Sequence, residues 1–157
     1  MNDPQTAQEI RGVMIQVGGG RLLLPNATIS EVLSFADPEP VADAPAWLLG
    51  RIRWRGWQLP LVAFGTLAGI ADERGGLGSK VIVLKSLTGG QLPYFALLTQ
   101  GFPRLVTVSA QSLQVDENDD ALPPGVHSLV RLNEDDAMLP DLAALQSMID
   151  EALAQAA

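Results

Sequence analysis

The feature that most constrains the fold is the segment from Trp47 to Val62, which predicts a strand, a tight turn and a second strand. Arg55-Gly56 supplies the turn, because glycine tolerates the positive φ angles that a two-residue hairpin turn requires. Successive side chains of a strand point to opposite faces. The alternation therefore predicts that Ile52 and Trp54 face inward, with Trp54 in the core.

The same hairpin carries an unusual concentration of positive charge. Arg51, Arg53 and Arg55 fall within five positions, although the whole chain has only ten basic residues. Their spacing predicts one shared outer face, with Trp57 just past the turn. A docking surface is one interpretation of this face. Protection of a strand edge against aggregation is the other, because exposed cations on edge strands serve that purpose.

The rest of the chain consists of short strand-like segments separated by close turns. Strands are predicted at 12–17, 21–24, 80–87, 92–99, 105–108, 126–132 and 137–139, with turns at 18–20 and 89–90. Residues 26–35 could form either a helix or a strand. The segment 65–79 is predicted to be a mobile connection, and 115–125 an acidic loop. Helical spacing of apolar residues predicts one helix over 141–154. This pattern favours a mostly β protein, either one closed barrel or a pair of small barrels.

Composition narrows the class of partner. A length of 157 residues fits one domain, and 47% hydrophobic residues suffice for a core. A net charge of −8 makes nucleic acid and anionic membranes poor partners. Cysteine is absent, and no signal peptide or continuous apolar span is visible. We therefore predict a soluble cytoplasmic protein that does not insert into membranes, with a flexible N-terminus at residues 1–9.

The sequence offers little for catalysis, cofactors or metals. Residues 18–20 lack the spacing and the Lys-Ser/Thr ending of a phosphate loop, and the acidic run 116–120 lacks the glycine and glutamate of an EF-hand. His127 is the only histidine, so a common zinc site is not expected. Ser128 adjoins it, but neighbours on a strand point apart, which predicts poor geometry for proton transfer. No enzyme activity, cofactor or metal is predicted.

The hairpin resembles the signature of CheW-like domains, which are adaptor modules of bacterial chemosensory arrays. That signature is a glycine, a short strand, Leu-Arg-Gly and an apolar strand containing proline. Here Gly50, Trp54-Arg55-Gly56 and Leu59-Pro60-Leu61-Val62 occupy those places. Upstream, Ile29-Ser30-Glu31-Val32 resembles the family's Val-x-Glu-Val segment, and Pro45-Ala46-Trp47 its Pro-x-hydrophobic entry. The resemblance extends over residues 10–150.

The chain departs from the family pattern at several positions. Trp54 stands where leucine is usual, and Ala63 where aspartate is usual. Gln100-Gly101-Phe102 stands where Val-Asp-Gly-Val is common. The sequence is therefore identified as a divergent member, similar to the accessory CheW-like proteins of type IV pilus (twitching motility) systems.

The resemblance implies two intertwined five-stranded SH3-like β-barrels with a C-terminal helix, in a domain spanning 10–150 followed by a helix end and tail at 151–157. It implies a non-catalytic adaptor that joins the cytoplasmic tips of methyl-accepting receptors to the regulatory domain of a CheA-type histidine kinase. Such a protein would reach membrane-associated receptor arrays through its partners.

Site residues follow in part from the resemblance and in part from the hairpin. By position in the family, Glu31 and Val32 belong near the kinase-facing surface and Arg55 near the receptor-facing region. The hairpin geometry alone adds Arg51, Arg53 and Trp57. Two alternatives stay open: a protein of this fold that binds a different partner, and a small-ligand-binding β-barrel, which would need a polar-lined pocket with convergent titratable groups.

Overall fold

The computed structural model describes residues 9–86, 92–116 and 121–156. Most of the predicted flexible N-terminus, the turn at 89–90, most of the acidic run 116–120 and the end of the predicted tail lie outside these ranges. The strands are β1 Ile10–Val17, β2 Gly20–Pro25, β3 Ile29–Ser34, β4 Leu48–Trp54, β5 Trp57–Val62, β6 Lys80–Lys85, β7 Tyr94–Thr99, β8 Arg104–Val108, β9 Leu113–Asp116, β10 Val126–Leu132 and β11 Asp135–Pro140. The helices are α1 Phe64–Leu67 and α2 Leu142–Ala156, and a short 3₁₀ turn covers Asn26–Thr28.

The described strands form two sheets. One has the order β8-β1-β2-β11-β10-β9 and the other β3-β6-β7-β5-β4. The chain leaves the first sheet after β2, builds the whole second sheet, and returns to the first at β8, so the two units are intertwined. The predicted mostly β fold is confirmed. The first sheet has one strand more than predicted, β9, which begins at Leu113 and overlaps only the first two residues of the predicted loop 115–125.

The alternation of side chains along each strand divides the core into layers. On β6, Ile82 belongs to the large apolar cluster between the sheets, while its neighbour Val83 packs inside the five-stranded sheet. Leu145 and Ile149 of α2 complete the cluster between the sheets. Each fully buried side chain of this size contributes about 1.5–3 kcal/mol through removal of apolar surface from water. This layer therefore holds the two sheets together.

The C-terminal helix agrees with its sequence prediction to within two residues. The carboxylate of Asp141 accepts a hydrogen bond from the backbone N–H of Ala144 at 3.0 Å, which caps the helix. Leu145 and Ile149 are buried at one-turn spacing, as the apolar periodicity predicted.

The segment predicted as a mobile connection contains a buried carboxylate, Glu73, which is only 3% exposed. Its oxygens accept hydrogen bonds from the backbone N–H of Gly18 at 2.7 Å and of Gly65 at 2.9 Å, and from the side-chain amide of Gln100 at 2.9 Å. The N–H of Glu73 in turn donates to the hydroxyl of Thr66 at 2.9 Å. This clamp fastens the turn between β1 and β2, in the first sheet, to α1 at the end of β5, in the second.

Two positions at which the chain departs from the family pattern, Ala63 and Gln100, lie at or beside this clamp. Ala63 is the residue before α1 and is completely buried, and it makes no side-chain cap. A carboxylate that caps a helix accepts a hydrogen bond from a backbone N–H of the first turn. Here that N–H belongs to Gly65, and the carboxylate is that of Glu73, which lies in the loop after α1. Gln100 is the polar side chain that satisfies the other oxygen of Glu73. Gln100 therefore belongs to the clamp itself, while Ala63 lies two residues before Gly65, which the clamp also holds.

Candidate partner-docking surface

The β4–β5 hairpin ends in a two-residue turn, as predicted. The register pairs Trp54 with Trp57 across it. Arg55 and Gly56 both have positive φ angles, 49° and 82°, which is typical of the type I′ turn that matches the twist of the flanking strands. The turn holds the tip of the hairpin in one backbone conformation.

Trp54 faces inward, as the alternation predicted. It is 7% exposed and packs with Leu59 and Val83. The ring of Tyr94 meets it edge to face, with ring centroids 4.8 Å apart. The hairpin is therefore anchored to the five-stranded sheet close to its tip.

Arg55 does not share the outer face of Arg51 and Arg53, so that prediction is wrong for this residue. Arg55 has a left-handed backbone conformation, so it is no longer part of the extended strand. Its side chain therefore does not follow the alternating directions of the strand residues before it. The guanidinium carbon instead lies 4.9 Å from the centroid of the Trp54 ring, in a cation–π contact. The same guanidinium forms an ion pair of 2.9 Å with Glu31.

Glu31 connects the hairpin tip to β3, at the opposite edge of the five-stranded sheet. One carboxylate oxygen accepts hydrogen bonds from the indole N–H of Trp54 at 3.3 Å and from Arg55 at 2.9 Å. The side chains of Arg55 and Glu31 are 70% and 36% exposed. An exposed ion pair adds about 0–1 kcal/mol, so this contact positions groups more than it stabilises the fold.

Val32 and Trp57 are the exposed apolar residues near this cluster. Val32 is 39% exposed and pairs in register with Ile82, so it points to the other face of β3 from Glu31, toward the junction between the sheets. Trp57 is 41% exposed and lies on the same face as Trp54, at the end of the hairpin. Large apolar side chains that stay accessible are a common feature of protein interfaces.

Arg51 and Arg53 line a groove of about 290 Å³ between β4 and the end of β3. The backbone of Arg51 exchanges hydrogen bonds of 2.8 and 2.9 Å with that of Glu39, which fixes the wall of the groove. Asp37 and Glu39 also line it. Neither arginine belongs to an ion pair among the residues that the structure describes. Arg53 is exposed and Arg51 is half-buried.

We use the name hairpin surface for the following six residues: Glu31, Val32, Arg51, Arg53, Arg55 and Trp57. The structure brings Glu31 and Arg55 into direct contact at the hairpin tip, although the resemblance implies that they belong to different surfaces. It leaves Arg51 and Arg53 in the neighbouring groove. Sequence reasoning missed the contact because Glu31 and Arg55 are 24 positions apart and meet only through the folding of the sheet.

His127 and Ser128 lie closer together than predicted. A β-bulge at this point of β10 interrupts the alternation, and the ring Nδ1 lies 2.7 Å from the serine hydroxyl oxygen. The pair is exposed, and the described hydrogen bonds include no carboxylate that orients the ring. Within the described ranges, no group of three potential metal ligands occurs.

A cavity of about 730 Å³ lies over β2, β11, β10 and β9. Its charged lining consists of two arginines and two aspartates, Arg21, Arg131, Asp116 and Asp136. Arg131 and Asp136 form an ion pair of 3.0 Å at the surface, so these two groups neutralise each other. In residues 9–86, 92–116 and 121–156, no helix is both long and apolar enough to cross a bilayer.

Comparison with known proteins identifies the fold. A family model described as CheW-like domain matches residues 11–149. Among solved structures, the chain is similar to the scaffolding protein TtCheW from Thermoanaerobacter tengcongensis, with a TM-score of 0.72 and 15% sequence identity over 86% of this chain and 90% of that chain. No curated protein matches the sequence. At this identity the structural likeness shows the fold alone, while the family model covers most of the chain.

Proposed function

The chain belongs to the CheW-like domain family, and we propose that it is a non-catalytic adaptor that couples methyl-accepting receptors to a CheA-type histidine kinase. The observation that carries the proposal is the hairpin surface, where charged and apolar side chains remain exposed around a turn that the buried Trp54 anchors. An adaptor of this kind needs no reaction. It binds two partners at once, which raises their effective concentration.

We propose that the partners meet the two sides of the hairpin surface. Glu31 and Val32 would contact the regulatory domain of the kinase, and Arg55 the cytoplasmic tip of the receptor. Arg51 and Arg53 would extend the contact area along β4, and Trp57 would extend it at the start of β5. Because Glu31 and Arg55 touch each other, the two binding regions would share a boundary. The proposed role implies a cytoplasmic location at receptor arrays.

Reversing the charge of Arg55 tests this assignment. We expect Arg55→Glu to weaken receptor-tip binding by about 2 kcal/mol or more, because an attractive contact becomes a like-charge repulsion. Glu31→Lys should instead weaken binding of the kinase regulatory domain. Titration of each variant against both isolated partners, at constant salt, measures the two effects separately.

Two further variants separate direct contact from positioning. Arg131→Glu is the matched control, because Arg131 also forms an exposed ion pair but lies on the other sheet. The double variant Glu31→Lys with Arg55→Glu restores an ion pair of reversed polarity. Continued loss of binding in the double variant supports direct contacts with the partners. If both single variants bind both partners with wild-type affinity, the docking role is refuted. The charges of the hairpin would then serve only to protect a strand edge against aggregation.

A second prediction concerns chemistry. Because the proposed adaptor carries out no group transfer, incubation with a phosphorylated, radiolabelled CheA-type kinase should leave this chain unlabelled. His127 is the side chain to monitor, since it is exposed. A response-regulator receiver domain, which accepts phosphate on an aspartate, serves as the positive control. Stoichiometric labelling of this chain would contradict the adaptor proposal.

The alternative within the same fold is an adaptor for a different partner. A pull-down of the cell's CheA-type kinases with this chain as bait separates the two possibilities, and binding supports the coupling role. Because the sequence resembles accessory members of type IV pilus systems, we propose that the signalling output is twitching motility. The binding experiment therefore tests the kinase and receptors of a type IV pilus system as well as those of the flagellar system. Failure to bind any of them would favour the different partner.

A further inference from the structure

A second groove lies at the other end of β4 from the hairpin tip. Its volume is about 340 Å³, and it separates the loop before β4 from the second half of α2. Apolar lining comes from Trp47, Met148 and Ala152, and carboxylates from Asp43 and Glu151. Since β4 runs from Leu48 to Trp54, the groove and the tip are on the order of 20 Å apart.

The charged side chains that line the groove are both acidic. Neither Asp43 nor Glu151 belongs to an ion pair in the described part of the chain. Among the described hydrogen bonds, Glu151 accepts one long contact of 3.5 Å from the amide of Gln155. The groove also borders the second half of α2, and no basic residue in the last turn of this helix offsets the negative end of the helix dipole.

Trp47 gives the groove an aromatic wall that is already held in place. The side chain packs against the core between the sheets and is half-buried. Its backbone carbonyl accepts a hydrogen bond of 2.8 Å from the N–H of Ala63. An indole ring attracts a cation placed over its face, and the preorganised ring loses little conformational freedom on binding.

From these features we propose that the groove receives an arginine side chain presented by a partner protein. The guanidinium group stacks on the indole and donates hydrogen bonds to the two carboxylates, while its aliphatic stem lies against Met148. Arginine suits the groove better than lysine, because a planar fork can stack and bridge carboxylates at the same time. The groove is separate from the hairpin surface, so this proposal does not depend on the adaptor role.

A peptide titration followed by NMR tests the site. The probe is the blocked tripeptide Ac-Gly-Arg-Gly-NH2, added to ¹⁵N-labelled full-length chain. The chain has three tryptophans, so three indole N–H signals are expected. The signal that disappears in Trp47→Phe is that of Trp47. The Trp47 signal should shift with saturation, while those of Trp54 and Trp57 stay constant. The double variant Asp43→Asn with Glu151→Gln should weaken binding about tenfold, since two charge-assisted contacts are lost.

Two controls make the result specific. The citrulline peptide has the same shape without the charge, and it should not shift the Trp47 signal. Glu134→Gln removes an exposed negative charge from the turn between β10 and β11, and it should leave binding unchanged. Equal shifts with citrulline, equal shifts at Trp57, or unchanged binding in the double variant would overturn the proposal. A Trp47 shift that depends on protein concentration without peptide would also overturn it, since a second copy would then be the occupant.

Discussion

Replacing Trp54 by alanine should lower the free energy of unfolding by about 3–5 kcal/mol. The indole is buried against Leu59, Val83 and the edge-to-face ring of Tyr94, so its removal leaves a cavity that the rigid sheet cannot fill. The substitution also removes the ring under Arg55 and the N–H that binds Glu31. Chemical denaturation, with the slope on denaturant compared between variants, measures the change.

Trp57→Ala is the matched control for this experiment. Trp57 lies opposite Trp54 across the turn, on the same face, but it is 41% exposed. Its loss should cost far less, about 1 kcal/mol, because little buried surface disappears. Equal losses in the two variants would show that the hairpin tip does not pack as described. A loss below about 1 kcal/mol for Trp54→Ala would place its indole outside the core.

Replacing Glu73 by alanine should destabilise the protein by about 3–5 kcal/mol, because two backbone N–H groups and one amide lose their acceptor. The groups are those of Gly18, Gly65 and Gln100, at 2.7–2.9 Å. Glu73→Gln keeps the shape of the side chain but turns one acceptor into a donor that faces another donor. We expect a loss of about 2 kcal/mol for this variant. Thermal and chemical unfolding measure both.

Asp72→Ala is the control for the neighbouring charge. Asp72 pairs with Arg74 in an exposed ion pair, so its loss should change the stability by no more than about 0.5 kcal/mol. Hydrogen exchange should also show faster opening of the β1–β2 turn in Glu73→Ala, since that turn loses its tie to the second sheet. A Glu73→Ala protein as stable as Asp72→Ala would mean that the clamp contributes nothing.

Local features of the fold were predictable from the sequence because they depend on neighbouring residues. Alternation of apolar side chains predicts the strands, and the Arg55-Gly56 pair predicts the turn. Helical spacing predicts α2 within two residues of its ends. The inward position of Trp54 follows from the same alternation. Each of these signals spans only a few positions, so it can be recognised without knowledge of what packs against it.

Contacts between distant segments were decided only by the tertiary structure. Glu73 lies in a glycine-rich loop and carries no pattern that distinguishes it from the exposed Asp72 beside it. Glu73 is buried because the folded structure places the turn at Gly18 and the side-chain amide of Gln100 against its carboxylate.

The hairpin surface shows the same division. The sequence by itself determined which residue types the hairpin carries and where its turn lies. Only the folded sheet brought Glu31 of β3 against the tip of β4, and only the left-handed backbone of Arg55 turned its side chain away from Arg51 and Arg53 toward Trp54. The physical reason is that strand alternation sets directions within one strand. Which strands become neighbours depends on packing across the whole core.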